Sequence, residues 1–306
     1  MSIGPRDFVI SYNQLYGLYN PVYTVIPMIT SPPPPSSSML YNEYKLLNYE
    51  YHSKRLKQII SEVDEEFDSI ILKECKNEII TKINESERKN NKYGYGLITI
   101  CCHSDEYDNI NCKSLYSPSL GYNYYNDNAD DRSYTYIADM FMHIRKNPIL
   151  KACSWPEERI YVEKQKDAKS IETILYHEHN DDYILTEGLT SNLYCLDNKG
   201  ENLYTASSNL ALPGSMGYIV ESVCRSTGIN VINEAISLSK IVNEEFDLFL
   251  TSATKPVQKL SCLIHPNKAT KTNLPSHESI SGKSINQIRV SVLQEIKKRF
   301  TNCAPL

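Results

Sequence analysis

Thr186-Glu187-Gly188-Leu189-Thr190-Ser191-Asn192 lies between two apolar runs, Tyr183-Ile184-Leu185 and Leu193-Tyr194-Cys195-Leu196. The stretch reads as a strand, a glycine turn and a second strand, with a carboxylate at the end of the first. Burying a lone carboxylate is costly, so Glu187 must find a cation or hydrogen-bond donors, or else take up a proton. A pyridinium nitrogen is one such partner. An exposed hairpin turn, with Ser191 and Asn192 as ordinary turn residues, accounts for the same letters without a ligand.

Around this turn the second half of the chain has short, closely spaced elements. Strands are expected at Glu172–Tyr176, Tyr183–Leu185, Leu193–Leu196, Leu203–Thr205, Ile229–Ile232 and Phe246–Leu250, with helices over about 215–226 and 284–300. The first half reads as more helical. Leu46, Leu47, Leu56, Ile59 and Ile60 fall roughly on one face from Tyr41 onward. Phe67, Ile70, Ile71, Ile79 and Ile80 stripe a second helix over about 64–87, and residues 94–102 read as a buried strand. Ser31–Ser38, with four consecutive prolines, is a surface loop, and 116–136, rich in Tyr, Asn, Asp and Ser, is an irregular excursion with almost no basic residues. The pattern predicts two α+β domains: 1–144, a linker at 145–157, and 158–306.

Composition narrows the function. The chain has 306 residues, 41% of them hydrophobic and 23% charged, as expected of a soluble globular protein. A net charge of −5 gives no basic footprint for nucleic acid. No apolar run approaches the ~20 residues that span a bilayer, and Met1–Val9 lacks the apolar segment of a secretory signal. Nine cysteines without a C-x-x-C motif indicate neither a zinc site nor a disulfide framework, and suggest a reducing compartment. No metal is expected. A cytoplasmic location follows as an expectation.

Several segments could carry chemistry. Leu212-Pro213-Gly214-Ser215 opens a helical run, where free N–H groups can bind an anion; a Pro-Gly turn with a serine cap is the simpler reading. Phe249-Leu250-Thr251-Ser252-Ala253-Thr254 ends an apolar strand in hydroxyls, which hold phosphate or merely satisfy the turn. Lys151 follows Pro148-Ile149-Leu150, so partial burial could make its amine a nucleophile or base. His177-Glu178-His179 lacks helical zinc spacing and reads as a hairpin end.

The order of these segments resembles the C-terminal half of the fold-type IV pyridoxal phosphate enzymes. That family includes branched-chain and D-amino-acid aminotransferases and aminodeoxychorismate lyase. Its E-G-x-x-S-N, L-x-G and strand-ending Ser/Thr motifs are matched by Glu187–Asn192, Leu212–Gly214 and Phe249–Thr254, with Gly228–Glu234 as the intervening link. Tyr51-His52-Ser53-Lys54-Arg55-Leu56 is similar to the family's H-x-x-R-L helix. Arg145–Lys151, followed by Trp155 and Arg159, is similar to the segment that presents the reactive lysine. Lys151 stands 36 positions before Glu187, and Arg55 stands 96 before Lys151, intervals close to the family's. Lys164, Lys166 and Lys169 are rivals, but they sit too near Glu187 for a helix and a strand to intervene.

The resemblance implies a two-domain D-amino-acid-aminotransferase-like fold, with pyridoxal 5′-phosphate in a cleft between domains and a homodimer as the assembly. By the same resemblance, Lys151 bonds the cofactor aldehyde and moves the substrate proton, while Glu187 pairs with the pyridine nitrogen. Arg55, Asn192, Gly214, Ser215, Ser252 and Thr254 complete the cofactor site. The implied reaction is amino transfer between an amino acid and a 2-oxo acid. A lyase of the aminodeoxychorismate type and a scaffold that has lost catalysis are the alternatives. Ser215-Met216-Gly217-Tyr218 lacks the Arg that many members carry there, and Val257-Gln258-Lys259-Leu260 replaces their T-P-V, so substrate specificity does not transfer.

Overall fold

The computed structural model describes residues 5–17, 20–31, 43–57, 67–87, 95–107, 109–118, 136–267, 270–274 and 284–302. The chain divides into two compact units, each built from separate stretches. The first comprises Met1–Asn123, Leu150–Glu158 and Lys297–Leu306; the second comprises Tyr124–Ile149 and Arg159–Ile296.

The first unit contains α1 (Pro5–Tyr16), β1 (Val22–Ser31), β2 (Glu43–Leu46), α2 (Tyr49–Lys57), α3 (Phe67–Glu87), β3 (Tyr95–Ser104), β4 (Ile110–Pro118) and α4 (Trp155–Glu158). Its antiparallel sheet has the order β2-β1-β3-β4. Alternation along β1 sorts its side chains between two faces. Val22, Ile26 and Met28 join Ile98, Ile100 and the buried stripe of α3, which is Phe67, Ile71, Cys75 and Ile79. Tyr23 lies on the other face, in a cluster with Val9 and Tyr12 of α1 and with Cys101 and Cys153. Thr24 falls in step with Val22 and Ile26 and is fully buried, so its hydroxyl must be satisfied inside the unit.

The helical reading from Tyr41 fails at its start. Leu46 ends β2, Leu47 donates its N–H to the Pro27 carbonyl (2.8 Å), and Asn48 adopts a left-handed φ of 53° before α2 begins. Ile59 and Ile60 lie outside the described residues. In α3, Ile70 and Ile80 are exposed rather than buried, because the face that meets the sheet is the narrower i, i+4 row from Phe67 to Ile79. The Pro/Ser-rich stretch beyond Ser31 and residues 119–135 also lie outside the described residues. Tyr116–Pro118 is not irregular: it is the end of β4.

The second unit contains β5 (Tyr136–Met142), α5 (Ile160–Gln165), β6 (Ser170–His179), β7 (Asp182–Gly188), β8 (Asn192–Leu196), β9 (Asn202–Thr205), α6 (Ser215–Ser226), β10 (Asn230–Asn233), β11 (Ile236–Ser237), α7 (Leu238–Asn243), β12 (Asp247–Ser252), β13 (Lys255–Ile264) and β14 (Lys271–Asn273). The helix α8 (Ile285–Asn302) follows, and its residues from Lys297 belong to the first unit. The sheet order is β10-β9-β8-β12-β13-β5-β6-β7-β11, and a further pairing of β7 with β8 closes six of these strands into a barrel. That closing contact is Glu187 opposite Asn192. The Thr186–Asn192 motif is therefore the seam of the barrel. Inside lie Ala138, Ile174, Leu193, Leu250, Leu260 and Leu263 among others.

The expected strands of this half are present with small shifts that have a physical cause. Gly228 (φ 77°) and Glu245 (φ 57°) are left-handed residues just past α6 and α7. The next N–H groups, of Ile229 and Phe246, reach back to the carbonyls of Cys224 (2.8 Å) and Ile241 (3.0 Å). These are Schellman closures, each with a buried apolar residue after the left-handed one. Ile229 and Phe246 thus finish the helices, and the strands begin one residue later. Between β6 and β7, Asn180 and Asp181 both have positive φ, the requirement of a tight two-residue hairpin.

Candidate active site

The second unit holds the Glu187 cluster. Glu187 ends β7, and its side chain is almost fully buried. Arg145 Nη1 donates to Oε1 at 3.2 Å, and the Leu212 N–H donates to Oε2 at 3.0 Å. Both side chains of the ion pair are sequestered, at 6% and 5% exposure. Arg145 is a site residue that its local sequence did not reveal, since nothing in Arg145-Lys146-Asn147 signals a partner 42 positions away.

Asn192 connects this carboxylate to the helix start. Its Nδ2 donates to the Leu212 carbonyl at 2.6 Å, while the Leu212 N–H is on Glu187. Gly214 caps α6 in an extended conformation without a side-chain cap bond, and Ser215 is the first helical residue. The serine-cap reading is therefore corrected: the cap position must be glycine, because a Cβ there would collide with Asn192 Oδ1. The glycine brings Asn192 against the backbone at the start of a twelve-residue helix whose cap residue contributes no side-chain bond. At the end of β12, Ser252 and Thr254 place their hydroxyls 3.4 Å apart, beyond the fully buried Thr251 that pairs with Asn192.

A second buried carboxylate, Glu172 on β6, fixes the turn itself. Its Oε1 accepts the Thr173 N–H (3.0 Å), and Oε2 accepts the Thr190 hydroxyl (2.5 Å), the Thr190 N–H (3.3 Å) and the Ser191 hydroxyl (3.0 Å). Gly188 is required because a Cβ would strike Ser191 and Glu172.

The first unit holds Lys151 and Arg55. Lys151 is placed by its backbone: its carbonyl accepts the Tyr23 N–H (2.9 Å), Ala152 bridges Val22, and the Cys153 N–H bonds the Pro21 carbonyl (2.8 Å). The Lys151 ammonium sits 5.0 Å from the centre of the Tyr23 ring, an attractive arrangement for a cation. Arg55, on α2, is 7% exposed and donates through Nη2 to Thr24 Oγ1 at 2.5 Å. His52, one turn earlier, contacts the same hydroxyl through Nδ1 at 2.6 Å. Burial, followed by the charges of Arg55 and Lys151, pushes the His52 imidazole well below its usual range, so it is neutral at ordinary pH.

The rival lysines are unremarkable in setting. Lys164 and Lys169 are exposed, and Lys166 is the half-buried residue that ends α5. His177 and His179 close the β6–β7 hairpin, and the described residues contain no metal-binding cluster. Trp155 begins α4, while Arg159 pairs with Glu163 at 2.9 Å.

The barrel seamed by an ion-paired glutamate, the glycine-started helix and the strand ending in hydroxyls all fall within the part of the chain that matches the class IV aminotransferases. The chain belongs to that family, whose profile matches residues 38–261. No curated protein matches the sequence. Three solved structures show how far the fold likeness extends. A branched-chain aminotransferase from Thermoproteus uzoniensis, solved with norvaline, is 15% identical, with a TM-score of 0.61 over 97% of this chain and 93% of that one. A putative 4-amino-4-deoxychorismate lyase from Legionella pneumophila is 15% identical, with a TM-score of 0.59 over 92% of each chain. A hypothetical aminotransferase from Mycobacterium tuberculosis in its PLP-bound form is 11% identical, with a TM-score of 0.58 over 90% and 88%. The fold is that of the fold-type IV aminotransferases, and family membership makes the protein an enzyme of the transaminase-or-lyase class.

Proposed function

We propose that the protein is a pyridoxal 5′-phosphate-dependent aminotransferase that exchanges an amino group between an amino acid and a 2-oxo acid. The observation that carries this reading is Glu187, a buried carboxylate held by Arg145 and the Leu212 amide at the barrel seam. With a cation and an amide on its two oxygens, Glu187 is kept as an acceptor suited to a protonated ring nitrogen. In this reading the phosphate is held by Arg55 of the first unit and, in the second, by the helix start at Gly214 and Ser215 and the Ser252 and Thr254 hydroxyls, each by its chemistry a donor for an anion. Asn192, whose Nδ2 holds the Leu212 carbonyl, completes this proposed cofactor site.

When bound, pyridoxal phosphate supplies the electron sink that makes the substrate Cα proton removable. Lys151 Nζ would hold the cofactor aldehyde and, once released from it by the incoming substrate amine, would move that proton. Glu187 keeps a proton on the ring nitrogen. A lyase reading shares every one of these residues, and the likeness to the Legionella pneumophila structure favours it as the second candidate. The same proposal has the protein acting in the cytoplasm as a homodimer. All eight described cysteines are free, and no helix among the described residues is long and apolar enough to cross a membrane.

The test is spectroscopic first. Purified protein given pyridoxal phosphate should turn yellow, with a visible band that borohydride abolishes and that is missing in Lys151→Ala. A protein that stays colourless refutes the reading, and a band that survives in Lys151→Ala moves the assignment to Lys164, Lys166 or Lys169. Amino transfer to a 2-oxo acid, set against pyruvate release from aminodeoxychorismate without an acceptor, then separates transaminase from lyase. Light scattering at twice the chain mass checks the dimer.

A further inference from the structure

β3 carries two adjacent cysteines, and the alternation of the strand sends them to opposite faces of its sheet. Cys101 joins the cluster of Val9, Tyr12 and Cys153. Cys102 joins the core under α3, which contains Cys75 and against which Cys112 of β4 packs. The β3–β4 register sets Cys102 directly opposite Cys112. Their sulfurs are 2.7 Å apart. Unbonded carbon atoms, which are smaller than sulfur, rest about 3.5–4.0 Å apart. Opposed residues of an antiparallel pair have Cα atoms about 4.5–5.5 Å apart, inside the range of about 4.4–6.8 Å that a disulfide spans. The backbone therefore holds these thiols where an S–S bond needs them, and neither strand has to slide.

The two sulfurs differ in access, and that difference sets the order in which they react. Cys102 is fully buried. Cys112 is half-buried, between exposed Asn111 and Lys113, on the strand that ends the sheet. Burial, followed by contact with Cys112, pushes the Cys102 thiol well above its usual range, so it is not the first to react. The neighbouring thiols lack this combination. Cys75 lies on α3, fully buried and pushed up by that burial, and no strand register holds it to either partner. Cys101 and Cys153 also touch, but both are fully buried and neither offers an entry.

We propose that Cys112 and Cys102 form a thiol-oxidation site, in which Cys112 is modified first by a low-molecular-weight disulfide and Cys102 resolves the adduct into a cross-strand bond. The Cys112 thiolate attacks one sulfur of the disulfide, forms a mixed disulfide and expels the other half as a thiolate. Cys102 then gives its proton to solvent and attacks the Cys112 sulfur, expelling the second half as a thiolate. In all, two cysteine thiols lose two electrons and two protons, and one disulfide is reduced to two thiols. The bond ties β4 covalently to β3.

The full chain, natively folded, is equilibrated in mixtures of oxidised and reduced glutathione and quenched with acid. Its remaining thiols are then alkylated in denaturant and mapped by peptide mass spectrometry. Wild type should lose two free thiols and yield a Cys102–Cys112 linked peptide, which a dithiol reverses, while Cys195, Cys224 and Cys262 stay alkylated. Fragmentation between residues 101 and 102 distinguishes the adjacent cysteines, and the link should persist in Cys101→Ala. In Cys102→Ala the reaction should stop halfway, with one glutathione on Cys112. In Cys112→Ser the link should be lost and Cys102 should remain a free thiol. The proposal is overturned if wild type forms no link even when oxidised glutathione predominates, or if Cys75 or Cys101 takes the place of Cys102. It is equally overturned if the link forms only in urea, or if Cys102 is modified as readily without Cys112. None of these readouts involves the borohydride-sensitive band, so failure here leaves the enzyme reading standing, and the reverse.

Discussion

Replacing Arg145 with Met removes the cation from Glu187 while keeping most of the side-chain volume. The pair lies at 3.2 Å with 6% and 5% of the side chains exposed. At an effective dielectric constant of about 20, the attraction at that distance is roughly 5 kcal/mol. Removing one partner of a buried pair costs about 3–5 kcal/mol, because the remaining charge is stranded. Glu187 keeps the Leu212 amide on its other oxygen, which places the expected loss near the lower end, about 3 kcal/mol. For a chain of this size that lowers the melting temperature by about 5 °C. The measurement belongs on apoprotein, since any bound cofactor would add its own stabilisation. Glu187→Leu should cost a similar amount by removing the carboxylate that faces Arg145. The double variant should be more stable than the sum of the two losses predicts, by about 2 kcal/mol or more, because it buries no lone charge. Single variants that melt within 2 °C of wild type, or losses that simply add, would refute the claim that this ion pair holds the barrel seam.

Three other perturbations probe the same architecture. Gly214→Ala forces Asn192 away from the turn and breaks its bond to the Leu212 carbonyl; a loss of about 1–2 kcal/mol in urea unfolding is expected, with cofactor affinity about tenfold weaker by absorbance titration. Glu172→Ala leaves the Thr190 and Ser191 donors without their acceptor and should cost about 2–3 kcal/mol, read as a lower urea midpoint. Since the folded pKa of His52 lies well below its unfolded value of 6.5, the unfolded chain takes up a proton that the native protein does not. Stability is therefore full above about pH 6.5 and falls below it by about 1.4 kcal/mol per pH unit, and urea midpoints from pH 8 to 5.5 should show that slope reduced in His52→Gln.

What the letters revealed follows the range of the forces involved. The Glu187–Asn192 turn and the α6 start were legible because glycine and turn residues act through local backbone geometry. Lys151 could be singled out by its interval to Glu187. Arg145 and Glu172 were not identified, since each acts on residues 18 to 42 positions away and has no periodic signal of its own. β1 escaped for a different reason: Pro27 interrupts Val22–Ser31 and reads as a breaker. The strand accommodates it because its carbonyl still accepts from Leu47 and its neighbours keep the register with β3. Thr24, one polar letter in an apolar alternation, gave no warning that it holds both Arg55 and His52.

The threading of the first unit bears on how the chain comes to fold. The segment carrying Lys151 docks on Val22 only after the chain has passed through β5, and Arg299, near the end of α8, donates to Asn48 at 2.9 Å. During synthesis, residues 1–123 emerge without the partners that complete their unit. The Lys151 backbone can be fixed only once residues 150–158 have been made, and the tie to Asn48 waits for Arg299, some 250 positions later. Cutting the chain at a point that looks like a domain border would separate Asn48 from Arg299 and yield two fragments, neither of them a whole unit.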